Sequence, residues 1–194
     1  MWIVVALCAW GALRAWQQRP VGQPAGVLVA DDPQQTPIGE APSFDVDGGR
    51  YRLQPLADFA VHARVLSRED YHLDRLASLV PTDLALGWGP MSDSAVLRQI
   101  NISQGGRFFY WSTRDFPVPR SEIESHAANM HLIAADEAVR AAIRAVRAGQ
   151  LVRFEGELVE LRARDGWTMR SSLTRTDTGA GACELVWVRH FTIG

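Results

Sequence analysis

Residues 150–163 read QLVRFEGELVELRA, and the fold turns on how this stretch is read. Apolar Val152 and Phe154 alternate with Arg153 and Glu155, the period of a strand with one buried face. Gly156 interrupts the alternation where a bulge or sharp bend is expected, because a glycine inside a strand marks close backbone approach. The Asp165–Gly166 turn follows, and WTMRSSLTRT returns from it with Trp167, Met169, Ser171 and Leu173 on one face. ACELVWVRHFTI then closes the chain as a further strand. A bent strand, a hairpin and a closing strand are the parts of small barrels. The expectation is an α+β fold whose helices pack on a C-terminal antiparallel sheet or partial small barrel of the OB or SH3 type, with its β-rich part at 150–194.

Upstream of this stretch, ADEAVRAAIRAVRAG is the clearest helix. Asp136 stands at its start, Val139, Ile143 and Val146 form an apolar stripe, and Gly149 follows its end. Arg140, Arg144 and Arg147 lie on the other face, where they are either solvated or a surface for an anionic partner. The periodicity also predicts helices over SREDYHLDRLASLV, after Met91 near Ser92 or Asp93, and over SEIESHAANMHLIA. Strands are expected over the second half of RYRLQPLADFAVHARVLS, with Phe59, Val61, Ala63 and Val65 on one face, and over GGRFFYWST. Residues 44–194 read as one domain.

Residues 17–43 are rich in Pro, Gly and Gln and read as an extended tether. Before them, residues 1–16 are apolar from Met1 to Leu13, with Trp2 and Trp16 near the ends. Thirteen helical residues rise about 20 Å against a hydrocarbon core of roughly 30 Å, a deficit that snorkelling by Arg14 reduces. The expectation is an uncleaved single-pass anchor, with a signal peptide as the alternative, holding the domain outside the cytoplasm.

The composition excludes some chemistry. All 20 basic residues are arginine, so a Schiff-base lysine, a lysine general base and a P-loop lysine are ruled out. A net charge of −2 does not suit a general nucleic-acid binder, and no nucleic-acid partner is expected. Cys8 lies in the apolar N-terminus, so Cys183 is expected to stay unbridged.

Two stretches carry candidate catalytic residues. SHAANMH places His126, Asn129 and His131 together, and Cys183 follows the glycine-rich TDTGAGACE. A thiol attacks as thiolate and needs a base, so Cys183 with His126 or His131, and Asn129 to orient the imidazole, would make a hydrolase. The same histidines with Cys183 could instead ligate zinc, although five residues of spacing separates two helical side chains by about 140°. A buried structural cysteine is the competing reading. Asp177–Ala180, DTGA, echoes the tetrapeptide of aspartic proteases, but no second copy exists and a turn explains it. Trp88, between Gly87 and Gly89, and Trp111, within RFFYW, are candidate binding aromatics, with burial in the core as the alternative for each.

DLALGWGPMSD, SHAANMHLI and GACELVWV together resemble segments of uncharacterised bacterial membrane-associated proteins, across roughly residues 44–194. The resemblance implies no activity. With the anchor and tether, the reading is a membrane-tethered accessory or binding protein that presents its domain to a protein, peptide or envelope partner. The alternative is the Cys183-dependent or metal-dependent enzyme.

Overall fold

The computed structural model describes residues 19–174 and 182–194. Its organising element is β3 (Tyr51–Asp70), twenty residues long, which pairs with β2 (Phe44–Val46) at Tyr51–Leu53 and with β1 (Gln34–Pro37) at Ala57–Ala60. β8 (Leu151–Ala163) follows β3 antiparallel from Tyr51 to Arg64, so β2 and β1 take the opposite edge. Beyond them, Arg64–Asp70 pair with β4 (Thr82–Gly87). β4 continues to β7 (Ala127–Ala134), and β7 runs parallel to β10 (Glu184–Ile193). β10 is antiparallel to β8, so the pairing leads from β3 through β4, β7 and β10 back to β3 by way of β8. β9 (Thr168–Arg170) adds to β8, and β5 (Asn101–Gly105) with β6 (Phe108–Ser112) forms a separate hairpin.

β3 serves two cores because of one extra residue. Tyr51 and Leu53 pack in one cluster, whereas Ala57, Phe59, Val61, Ala63 and Val65 pack in the other. All are odd-numbered, so an unbroken strand would put them on one face. The register shifts between Pro55 and Ala57, where proline has no N–H for the ladder, and that bulge exchanges the faces. β8 crosses both clusters by simple alternation, with Phe154 and Leu158 on one side and Val159 and Leu161 on the other.

The helices are short: α1 (Ser94–Leu97), α2 (Arg120–Ser125) and α3 (Glu137–Ala145). Asp136 caps α3 by accepting from the Val139 N–H at 2.8 Å, and Val139, Ile143 and Val146 are buried against the larger core. At about 1.5–3 kcal/mol for each buried aliphatic side chain, this stripe holds the helix in place.

Several expectations are corrected. No small barrel forms from residues 150–194 with helices laid on it. An eight-stranded mixed sheet recruits strands from the whole described chain, and its β7–β10 pair is parallel. The helix expected after Ser67 is strand as far as Asp70, because those residues find a partner in β4. Helical spacing survives as one turn, in which the Val80 N–H donates to Leu76 O and Leu76 and Leu79 are buried. In SHAANMHLIA the helix stops at Ser125, and β7 is buried on nearly every residue because β4 and β10 flank it. A strand buried on both faces loses its alternation and is open to misreading as a helix.

The tether is part of the body. The Val21 N–H donates to Ala148 O, Val29 is buried, β1 pairs with β3, and Ser92 Oγ receives the Leu28 and Val29 amides. Residues 1–16, expected to be an anchor, lie outside the described residues. Among the described residues no helix is long and apolar enough to cross a membrane. The single-pass, membrane-tethered accessory reading, with its extracytoplasmic domain and envelope partner, finds no support here and is set aside.

Candidate functional site

The structure separates the two histidines of SHAANMH. His126 stands where α2 ends, its Nδ1 2.9 Å from Glu122 O, and its ring lies against Gly89. A Cβ at position 89 would stand 2.5 Å from His126 Cδ2, so glycine is needed there. The Trp88 N–H donates to His126 O, which fastens the Trp88–Ser92 turn to this corner. Trp88 itself is buried in the larger core, so it is not part of a recognition surface.

His131 and Asn129 point from β7 into a different environment. His131 is buried, with Nδ1 2.9 Å from Oδ1 of the fully buried Asp83, its cross-strand partner on β4. Asp83 also accepts from Arg107 Nη1 at 2.9 Å, and its Oδ2 has no hydrogen-bond partner among the described residues. Asn129 receives Gln104 Nε2 at 2.7 Å and donates to Arg107 O at 3.1 Å. Cys183 Sγ is 3.9 Å from Asn129 Nδ2 and 3.7 Å from Arg107 O. Asn129 and Cys183 are thus neighbours, while His126 is elsewhere and His131 is engaged with Asp83. The Cys–His hydrolase is corrected on this geometry. For the zinc alternative, no group of three His, Cys, Asp or Glu among the described residues is arranged to hold a metal ion. Asp177–Ala180 lie outside the described residues.

What the cluster does is dock the β5–β6 hairpin. Arg107 sits at the hairpin turn with φ of 72°, donates to Asp74 through Nε and Nη2, reaches Val80 O, and stacks over the Tyr71 ring at 3.8 Å. Hydrogen bonding from Arg107 holds the Asp74 carboxyl below its ordinary range, and burial pushes the Tyr71 hydroxyl up. Sequence reasoning missed Arg107, Asp83, Asp74, Tyr71 and Gln104. The available signals were a charged residue opening the apolar run DLALG and an arginine after the Gly105–Gly106 pair.

A cleft of about 870 Å³ opens between the end of α3 and the 71–82 segment. Arg68 builds its frame. Its Nη1 donates to Arg144 O and Val146 O at 2.7 and 2.8 Å, capping carbonyls at the end of α3, while its other nitrogens engage Asp70. Thr82 Oγ1 donates to the same Asp70 at 2.6 Å, so Arg68 and Asp70 cancel in charge. Arg140, Arg144 and Arg147 also line the cleft. Arg140 lies 3.3 Å and Arg144 3.9 Å from Glu137, an exposed carboxylate that both share. Arg147 has no ion pair among the described residues. Three guanidiniums against one carboxylate leave two positive charges, with Tyr71, His72 and Ser78 on the opposite wall. Pairs at i,i+4 share a helix face, which is why Arg140 and Arg144 point together while Val139 and Ile143, about 100° around the helix, are buried.

Of the other aromatic candidates, Trp111 is half-buried on β6, edge-on to Phe116 at 6.2 Å and beneath Arg120. Comparison of the chain with protein-family models, with curated proteins and with solved structures found no match. The site is therefore read from its own chemistry.

Proposed function

We propose that this domain binds a small dianionic ligand, a phosphate ester, in the arginine cleft. The observation that carries the reading is the convergence of Arg140, Arg144 and Arg147 on one cleft with a single shared carboxylate among them. Guanidiniums match phosphate oxygens with two parallel donors, and bonds of this kind are stronger than neutral ones. The volume falls within the roughly 300–1,000 Å³ usual for small-molecule sites. Arg68 is excluded from ligand contact by its own bonds, and its part is to fix the wall on which Arg144 and Arg147 stand. Ser78, Tyr71 and His72 supply polar groups for the uncharged part of the ligand.

The test is a calorimetric titration of the full chain with inorganic pyrophosphate at low salt. Saturable one-to-one binding is expected. Arg144→Ala and Arg147→Ala should each weaken it about tenfold, the loss of one charge-assisted contact of roughly 1.4 kcal/mol. Arg98→Ala, at an exposed arginine outside the cleft, should leave it unchanged. Equal losses in all three variants would reduce the effect to general charge and defeat the reading, as would the absence of saturation.

A further inference from the structure

A second polar groove, sharing no residue with the arginine cleft, carries the opposite charge. It holds about 320 Å³ where β1, β3, β8 and β10 present their outer faces. A depression of about 200 Å³ adjoins it through the shared residues Gln34, Ala60 and Glu155. Across the two, the carboxylates of Asp31, Asp32, Asp58, Glu155 and Glu157 face the guanidiniums of Arg153 and Arg189. With His62 and His190 of the lining counted as neutral, five negative groups face two positive ones, a formal surplus of three, and Asp32 also lies 3.8 Å from His126 Nε2.

The floor of this groove is built. β10 pairs Val188 with Gly156 and then His190 with Glu155, so Arg189 is an extra residue in a bulge. Gly156 permits the close approach: a Cβ there would stand 1.9 Å from Trp187 O. The bulge turns Arg189 onto Glu157, with which it pairs through Nη2 and Oε1. Glu157 is only 4% exposed, whereas the Arg189 side chain is 58% exposed. Oε2 of Glu157 is buried and has no hydrogen-bond partner among the described residues. Asp58 lies directly across from Glu157 in the β3–β8 register. Burial pushes the Glu157 carboxyl up, Arg189 counters it, and Asp58 adds to the rise. An almost buried carboxylate with one oxygen unmet, held by a largely exposed arginine, is a place where a better-fitting cation can take over.

We propose that this double groove binds a linear aliphatic polyamine, an extended polycation of which two ammonium groups are engaged. One ammonium head takes Glu157 and Asp58 in place of Arg189, and the other lies among Asp31 and Asp32. No three His, Cys, Asp or Glu among the described residues are placed to hold a metal ion, so the complement is an extended organic cation. Gln34 and Thr36 on β1 give its remaining N–H groups acceptors along the rim.

The experiment is calorimetric titration of the full chain with spermidine, beside magnesium chloride at the same concentrations. Saturable spermidine binding is expected, with magnesium far weaker. Arg189→Ala should tighten spermidine about tenfold if Arg189 holds the site nine-tenths of the time, because it removes an internal competitor. Asp58→Asn should weaken it several-fold, and Glu157→Gln should abolish it with the circular dichroism unchanged. Arg144→Ala, in the other cleft, should have no effect. Absence of saturation, equal binding of magnesium, or weaker binding in Arg189→Ala would each overturn the proposal. The Arg189 and Asp58 variants decide the matter even if Glu157→Gln fails to fold.

Discussion

Asp83 shows how one residue can be structural and still look functional. It is fully buried, opposite His131, and gives Arg107 the carboxylate that lets a guanidinium be drawn down onto the sheet. Removing one partner of a buried pair leaves the other charge uncompensated. Asp83→Asn should therefore cost about 3–5 kcal/mol in urea unfolding, with the β5–β6 hairpin losing amide protection first. Asp74, the outer partner of Arg107, has a pH signature. Its carboxyl is depressed in the folded state by Arg107, so its contribution is complete above the ordinary carboxylate value and is lost as pH falls through the depressed folded value. The stability difference between the protein and Asp74→Asn should shrink steadily below about pH 3.9 and vanish in stronger acid. A difference that grew on acidification would contradict the assignment.

At the scale of elements, α3 matters most, because it carries Arg140 and Arg144 and ends just before Arg147. Its N-terminus rests on one capping bond from Val139 to Asp136. Asp136→Ala should lower stability by about 1 kcal/mol, seen as a lower urea midpoint at constant slope. This helix was legible in the sequence from cap to stripe, because local capping and a 3.6-residue period agree there. The second half of β3 was legible for the corresponding reason, an alternation with one buried face, whereas β10, buried on consecutive residues from Glu184 to Val186, was legible from its apolar run after the glycine-rich stretch. SHAANMHLIA was not, since β7 owes its strand conformation to β4 and β10, neither of which is near it in the chain. The 19–43 segment looked like a tether because its composition is poor in apolar residues. Its order comes from the pairing of β1 with β3 and from single long-range bonds to Ser92, Asp93 and Ala148. The site divides in the same way: Arg140, Arg144 and Arg147 stood out on a helix face, whereas the 71–82 wall that makes their cleft depends on tertiary pairing.

At the scale of the whole molecule, a near-neutral chain divides its charge into a cationic cleft at the end of α3 and an anionic groove over β1, β3, β8 and β10. Net charge hides this arrangement completely. Because the chain contains no lysine, every side-chain cation apart from a protonated histidine is a guanidinium, and each guanidinium has an Nε–H that can be followed by nitrogen-15 spectroscopy. The central claim is that an anionic ligand is held by Arg140 and Arg144 of α3 and by Arg147 just beyond it. The most direct test is to record the arginine Nε–H signals of the full chain while inorganic pyrophosphate is added. The account predicts that Arg140, Arg144 and Arg147 shift together and saturate at one equivalent. Arg52 and Arg162, each tied to a carboxylate on the sheet, should stay in place. Equal drift of all the arginine signals, or none, would contradict it.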